Sequence, residues 1–193
     1  MSNPFATRYI RPGALAYHFP PGESAQQFVQ RLAEQGWLGQ IVGPHGSGKS
    51  TLLAALRPAL SAAGRQTVGI TLRQGDRRLP GIESLDELGG KGQLVIDGYE
   101  QLSPVARWRL HRRCRRRGCG LLVTSHRDMG LPTIARLEPS LEIMRHVVGR
   151  LLPDGDQTVG EGDISAAWRG CGGNLREALF GLYDLYELRG RAS

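Results

Sequence analysis

Apolar and polar residues along this chain follow two rhythms in turn. Trp37–Val42, Gln93–Ile96 and Leu121–Thr124 are short apolar runs, the signature of strands buried on both faces. Thr67–Leu72 alternates and carries β-branched residues, which predicts another strand, and a fifth is expected near Thr133–Leu137. Helical spacing separates them. Ser24 is a predicted N-cap for a helix that places Phe28, Val29 and Leu32 on one face and stops near Gly36. A second helix runs from Lys49 to about Ala63, ahead of Gly64. A third opens at Ser103-Pro104, with proline at its first position, and runs to Arg117. Residues 73–92 read mostly as loop, with a short helix at Ser84–Leu88. From Ser140 the chain is helical apart from a polar loop at Pro153–Asp163. Strands alternating with helices predict a three-layer α/β fold, a parallel sheet of about five strands covered on both faces. The expected organisation is an irregular lead-in over 1–23, with four prolines and two glycines, a core over 24–139, and a small helical, lid-like region over 140–193.

Composition adds little to this until charge is counted. With 193 residues, 40% hydrophobic and 22% charged, the chain is long and apolar enough for a buried core and is not of disordered type. No apolar run approaches the ~18 residues of a membrane span. The start lacks the apolar stretch of a secretory signal, so a cytoplasmic location is expected. Three cysteines, Cys114, Cys119 and Cys171, with no CxxC pair, predict free thiols in a reducing compartment and neither a disulfide framework nor a zinc site. The net charge of +7 comes from one place. Val105–Arg117 holds seven arginines and no acid, and without them the 25 basic residues fall to 18, equal to the 18 acidic ones.

Three apolar runs lead into chemistry. After Trp37–Val42 comes Gly43-Pro44-His45-Gly46-Ser47-Gly48-Lys49-Ser50, which matches G-x-x-x-x-G-K-[ST] between a predicted strand and a predicted helix. Glycines permit positive φ and leave no Cβ in the way of a phosphate, so that successive backbone N–H groups point into one concavity. The helix N-terminus adds partial positive charge. The expected nucleotide-binding set is this loop, Gly43 to Ser50, with Thr51. Lys49 reaches the β- and γ-phosphates, and Ser50 sits on Mg²⁺. Binding without hydrolysis is also compatible with such a loop. The second run, Leu94–Ile96, ends in Asp97-Gly98-Tyr99-Glu100. Asp97 at the carboxyl end of a parallel strand would support Mg²⁺ together with Ser50, and Glu100 would orient or deprotonate an attacking water. The plainer alternatives are a turn-forming Asp before Gly and a solvated acid at a helix start. The third run ends in Thr124-Ser125-His126, any of which would face a γ-phosphate or the water if this strand lies between the other two. The alternative is that they cap the following turn.

Together these segments resemble a P-loop NTPase of the additional-strand group that includes the AAA+ and STAND ATPases. Gly43–Ser50 resembles Walker A. Ile96–Glu100 resembles Walker B in a form nearest the STAND variant, without the adjacent Asp-Glu pair usual in AAA+ proteins. Thr124–His126 resembles sensor 1, and Gly172–Leu179 resembles the sensor 2 helix of an AAA+ lid. The resemblance implies ATP and Mg²⁺ as ligands and Arg176 as a residue reaching the γ-phosphate. It also implies that the lead-in, with Tyr9 and Ile10, wraps the base. Arg127 and Arg136 fall where a trans-acting arginine would lie in a homo-oligomer. No guanine-specific Asn-Lys-x-Asp segment and no Leu-Ser-Gly-Gly-Gln signature are present.

The reading that follows is an ATP-binding NTPase, with Mg²⁺-dependent hydrolysis serving as a regulatory or mechanical switch. A nucleic-acid-binding module regulated by nucleotide and a small-molecule phosphotransferase are the alternatives. In the predicted helix at 104–117, Ala106, Leu110 and Cys114 form the apolar stripe. Arg109, Arg112, Arg113 and Arg116 share a neighbouring face with Trp108 at its border. That face is either a solvated outer surface or a site for nucleic acid, anionic lipid or an acidic protein partner.

Overall fold

The computed structural model describes residues 3–76, 79 and 89–190. The helix expected at Ser84–Leu88 lies outside them. Five parallel strands form one sheet: β1 (Leu38–Val42), β2 (Gln66–Thr71), β3 (Gly92–Asp97), β4 (Gly120–Ser125) and β5 (Thr133–Arg136). Their order is β2-β3-β4-β1-β5. The α/β fold expected from the alternation is the one observed. β4, buried throughout, lies between β1 and β3, with Val42 opposite Ser125 and Ile96 opposite Val123. The carboxyl ends of β1, β3 and β4 therefore meet at one edge of the sheet. The central strands are mainly apolar, with Gln40 and Gln93 buried among them, because helices cover both faces, whereas every position of β2 at the edge is exposed or half-buried.

Helices α1 (Thr7–Ile10), α2 (Ala25–Glu34), α3 (Lys49–Ala62), α4 (Pro104–Arg117), α5 (Leu141–Leu151), α6 (Glu161–Gly170) and α7 (Leu175–Gly190) complete the described chain. Ser24 caps α2 by accepting from the Gln27 amide, Ser103 caps α4 from Ala106, and Ser140 caps α5 from Ile143. Pro58 lies within α3 at an exposed position, and the helix continues through it to Ala62. Among the described residues no helix is long and apolar enough to cross a membrane.

Three apolar clusters divide the interior. One joins α2 and α3 to one sheet face, and a second joins α4 to the other. The third is made by α5, α6 and α7. The amino-terminal segment, irregular apart from the single turn α1, ties the first and third together. Phe5 is fully buried in the third cluster, edge-on to Tyr186, while Tyr17 and Phe19 pack against the first. Asn3 adds amide hydrogen bonds of 3.0 Å to the Tyr183 carbonyl and to Glu187. The segment holds its place by burying side chains at both ends, with a fully buried Phe contributing about 1.5–3 kcal/mol.

Candidate functional site

The turn after β1 is shaped by glycines with positive φ, Gly46 at 71° and Gly48 at 88°, and Gly48 precedes the first residue of α3. Gly43 has no room for a side chain: a Cβ there would lie 2.7 Å from Ser47 Oγ and 3.0 Å from Leu137. Lys49 is 8% exposed. Its ammonium donates to the carbonyls of Gly43 and Pro44, both at 2.7 Å, and to His126 Nδ1 at 3.2 Å. Burial pushes its pKa down. Glu100 and Asp97 oppose that, and the Arg176 charge adds to it. Lys49 thus sits within the field of both acids and of an arginine from the carboxyl-terminal helices.

Asp97 ends β3, and its two carboxylate oxygens are shared. Oδ2 accepts from Ser50 Oγ at 2.5 Å and Oδ1 from Thr124 Oγ1 at 2.5 Å, and Thr124 in turn accepts from the Gly98 amide at 3.0 Å. Gly98 turns the chain at φ 88°, where a Cβ would press on the Leu72 carbonyl at 2.7 Å. The Asp-Gly pair is therefore a turn, while the Asp side chain faces the loop. Ser50 and Asp97 fit Mg²⁺ by the chemistry of their donors: a hydroxyl and a carboxylate oxygen, side by side at the mouth of a phosphate-shaped loop.

Beyond the turn, Tyr99–Gln101 forms one 3₁₀ turn that carries Glu100. Glu100 Oε1 lies 3.0 Å from His126 Nε2, and Oε2, although buried, has no partner among the described residues. The His126 ring stacks on His45 of the loop at 3.5 Å between centroids. A neutral imidazole with its proton on Nε2 satisfies both neighbours, donating to Glu100 and accepting from Lys49. Burial holds the His126 pKa below its ordinary value, with Lys49 pushing the same way, Glu100 opposing, and His45 adding a smaller push down.

The end of β4 separates its three polar residues. Thr124 turns inward to Asp97. Ser125 Oγ donates to the Arg127 carbonyl at 2.5 Å and closes the turn, away from the cavity. His126 enters the cavity. Arg176 lies in the first turn of α7 and lines the same space. Asn174 beside it caps α7, accepting from the Arg176 and Glu177 amides at 3.1 and 3.3 Å, and presses its side chain on Gly46. Nothing in the sequence reading assigned a role to Asn174. The available signal was an Asn immediately before an apolar helical segment. Arg11, Leu15 and Phe180, also unassigned, line the cavity, as does Ile10, whereas Tyr9 does not. The cavity measures about 870 Å³ and is bounded by the loop, the ends of β3 and β4, α1 and α7. That is in the range of small-molecule sites. Of the expected loop residues, His45 to Thr51 border it, and Gly43 and Pro44 lie behind, as the carbonyls that hold Lys49.

Two results check this geometry. Gly46→Ala should destabilise the protein by about 1–2 kcal/mol from left-handed strain alone, a fall of a few degrees in Tm. It should also separate Asn174 from the loop, because a Cβ at Gly46 would overlap the Asn174 side chain. An unchanged Tm would show that the contact carries nothing. The second result concerns pH. A histidine whose folded pKa is depressed binds fewer protons in the folded state. Stability is therefore lost as pH falls through the ordinary value of about 6.5. His146, also held low chiefly by burial with His18 adding, acts in the same direction. His126→Gln should flatten the acid-side decline of Tm, and an unaltered profile would count against His126 as its source.

A strand, glycine loop and helix, with a further strand between the loop strand and the acid strand, form the arrangement of the additional-strand P-loop fold. No family model matches the sequence, and no curated protein matches it. Solved structures do match in fold. AMPPCP-bound DnaA from Aquifex aeolicus is 15% identical with a TM-score of 0.62, covering 94% of this chain and 67% of that one. A Walker-type ATPase of Pyrococcus abyssi is 13% identical, with a TM-score of 0.57 and coverage of 96% and 74%. A Thermotoga maritima RuvB variant is 14% identical, with a TM-score of 0.57 and coverage of 83% and 59%. The chain spans under two thirds of the RuvB structures it matches. The fold is that of the AAA+ P-loop ATPases.

Proposed function

We propose that the chain is a Mg²⁺-dependent ATPase whose hydrolysis works as a switch between the sheet and the carboxyl-terminal helices. One observation carries the reading: the Lys49 ammonium, the Ser50–Asp97 oxygen pair and a glutamate with one unpartnered buried oxygen converge on a single cavity. In this reading the loop amides and Lys49 bind the β- and γ-phosphates, with Lys49 exchanging its carbonyl partners for phosphate oxygens. Ser50 and Asp97 would hold Mg²⁺, which neutralises phosphate charge when bound. Glu100 Oε2 takes the proton of a water whose oxygen attacks the γ-phosphorus as the bond to the β–γ bridging oxygen breaks. His126 holds the other Glu100 oxygen and fixes the carboxylate's direction. Arg176 meets the γ-phosphate from α7, so loss of that phosphate releases α7 from the loop. Ile10, Leu15 and Phe180 offer an apolar wall to the base.

The AMPPCP bound to DnaA supports an ATP-type nucleotide here. Residues 140–193 would then act as the moving part, with the amino-terminal segment as its tether. The test is calorimetric titration with a non-hydrolysable ATP analogue, with and without Mg²⁺, followed by phosphate release from ATP at rising protein concentration. Mg²⁺-enhanced binding and measurable turnover are expected, and a turnover per subunit that rises with concentration would indicate sites shared between copies. Absence of any nucleotide binding would remove the proposal.

A further inference from the structure

Helix α4 presents a face that the nucleotide site does not use. Leu110 and Cys114, 1% and 2% exposed, seat the opposite side of the helix on the sheet. Val105 and Trp108 are 58% and 60% exposed, and Arg109, Arg112, Arg115 and Arg116 lie on the same outward arc. Arg113 is half-buried at its margin, so the exposed face is not quite the one that spacing alone selects. No acidic residue occurs between Ser103 and Gly118. Among the described residues no carboxylate pairs with Arg109, Arg112 or Arg116. The Arg112 guanidinium lies 5.5 Å from the centre of the Trp108 ring. Trp108 and these arginines border an open depression of about 680 Å³.

Two features select the partner. Guanidinium groups at 109, 112 and 116 run for roughly 10 Å along the helix at 1.5 Å per residue. Forked donors in a row suit successive phosphates better than isolated carboxylates. An outward indole at the head of that row adds what an acidic peptide would leave unused, a flat apolar platform. An anionic membrane surface would call for a broader apolar band than Val105 and Trp108 supply. We propose that this face binds single-stranded nucleic acid, with phosphates on Arg109, Arg112 and Arg116 and a base stacked on Trp108. The site is independent of nucleotide turnover. Its position on the helix joining β3 to β4 lies between the strands that end in Asp97 and in Thr124-Ser125.

The test uses the full chain without nucleotide, so its failure and that of the ATPase reading are separable. A fluorescein-labelled oligothymidylate of about 20 nucleotides, longer than one such site, is titrated with protein and followed by anisotropy at several salt concentrations. At about −0.7 per phosphate contact on a single strand, three contacts predict a log–log salt slope near −2. R109Q/R112Q/R116Q should abolish that slope. Trp108→Ala should weaken binding by about 5- to 150-fold, the worth of one stacked base, with little change in slope. All four positions are exposed, and a matching Tm confirms that the variants fold. No anisotropy change at low salt would overturn the proposal, as would a triple variant that binds like the unmodified chain. So would equal competition by polyglutamate, by phosphatidylserine vesicles or by duplex of the same length. Full affinity in Trp108→Ala would reject stacking and leave a face with no preference for bases.

Discussion

Lys49→Ala is expected to remove ATP binding from the range of an ordinary calorimetric titration. Lys49 is buried and held by the Gly43 and Pro44 carbonyls at 2.7 Å, so its charge is already desolvated and aimed at the loop. Losing one partner of a buried, hydrogen-bonded charge pair costs about 2–5 kcal/mol, a factor of roughly 30 to several thousand in Kd. The substitution also leaves two loop carbonyls without their donor, so the loop itself should loosen. Stability should change far less than affinity, because relieving the burial of an ammonium offsets the lost hydrogen bonds. A Tm within a few degrees of the unmodified chain, together with lost binding, is the expected pair of results. Binding within threefold of the original would show that the loop does not hold phosphate through Lys49.

Glu100→Gln should separate binding from turnover. The amide keeps the size of the carboxylate and can still accept from His126 Nε2, which lies 3.0 Å from Oε1. It cannot take a proton from water. General-base contributions of about 10²–10⁴ set the expected loss in kcat, with ATP affinity unchanged or slightly higher because one negative charge near the phosphates is gone. Single-turnover phosphate release measures it. Turnover within a few-fold of the original would assign the base elsewhere, with Asp97 already occupied by Ser50 and Thr124.

Much of the architecture was legible in the order of residues. The predicted helix at 104–117 and the one starting at Lys49 agree with α4 and α3 to within a residue or two, because caps, a first-turn proline and terminal glycines are local signals. Three of the strands were visible as apolar runs because the central strands are covered on both faces. The loop at 43–50 was legible for the same reason of locality: its shape is written in eight consecutive residues whose backbone conformation depends on glycine at 46 and 48.

What lay beyond the sequence is what chain-distant residues do to each other. Thr124, Ser125 and His126 read alike as polar residues after an apolar strand. Only the packed sheet separates them, sending Thr124 to Asp97, Ser125 to the Arg127 carbonyl and His126 to Glu100 and Lys49. Side chains alternate along a strand, but where the last one points depends on the turn and on the neighbouring strand. Asn174 on Gly46 and Phe5 among α5–α7 join parts of the chain that no periodicity connects. The sequence by itself determined the strands, α2 to α5, the glycine loop and the location of the positive charge, but not α1, the start of α6 inside the expected loop at Pro153–Asp163, or the break that separates α6 from α7. The tertiary structure alone decided which polar groups share the cavity and that α7 borders it. Backbone propensity acts over a few residues, whereas contacts across the sheet edge are set by strand order and by the burial of both partners.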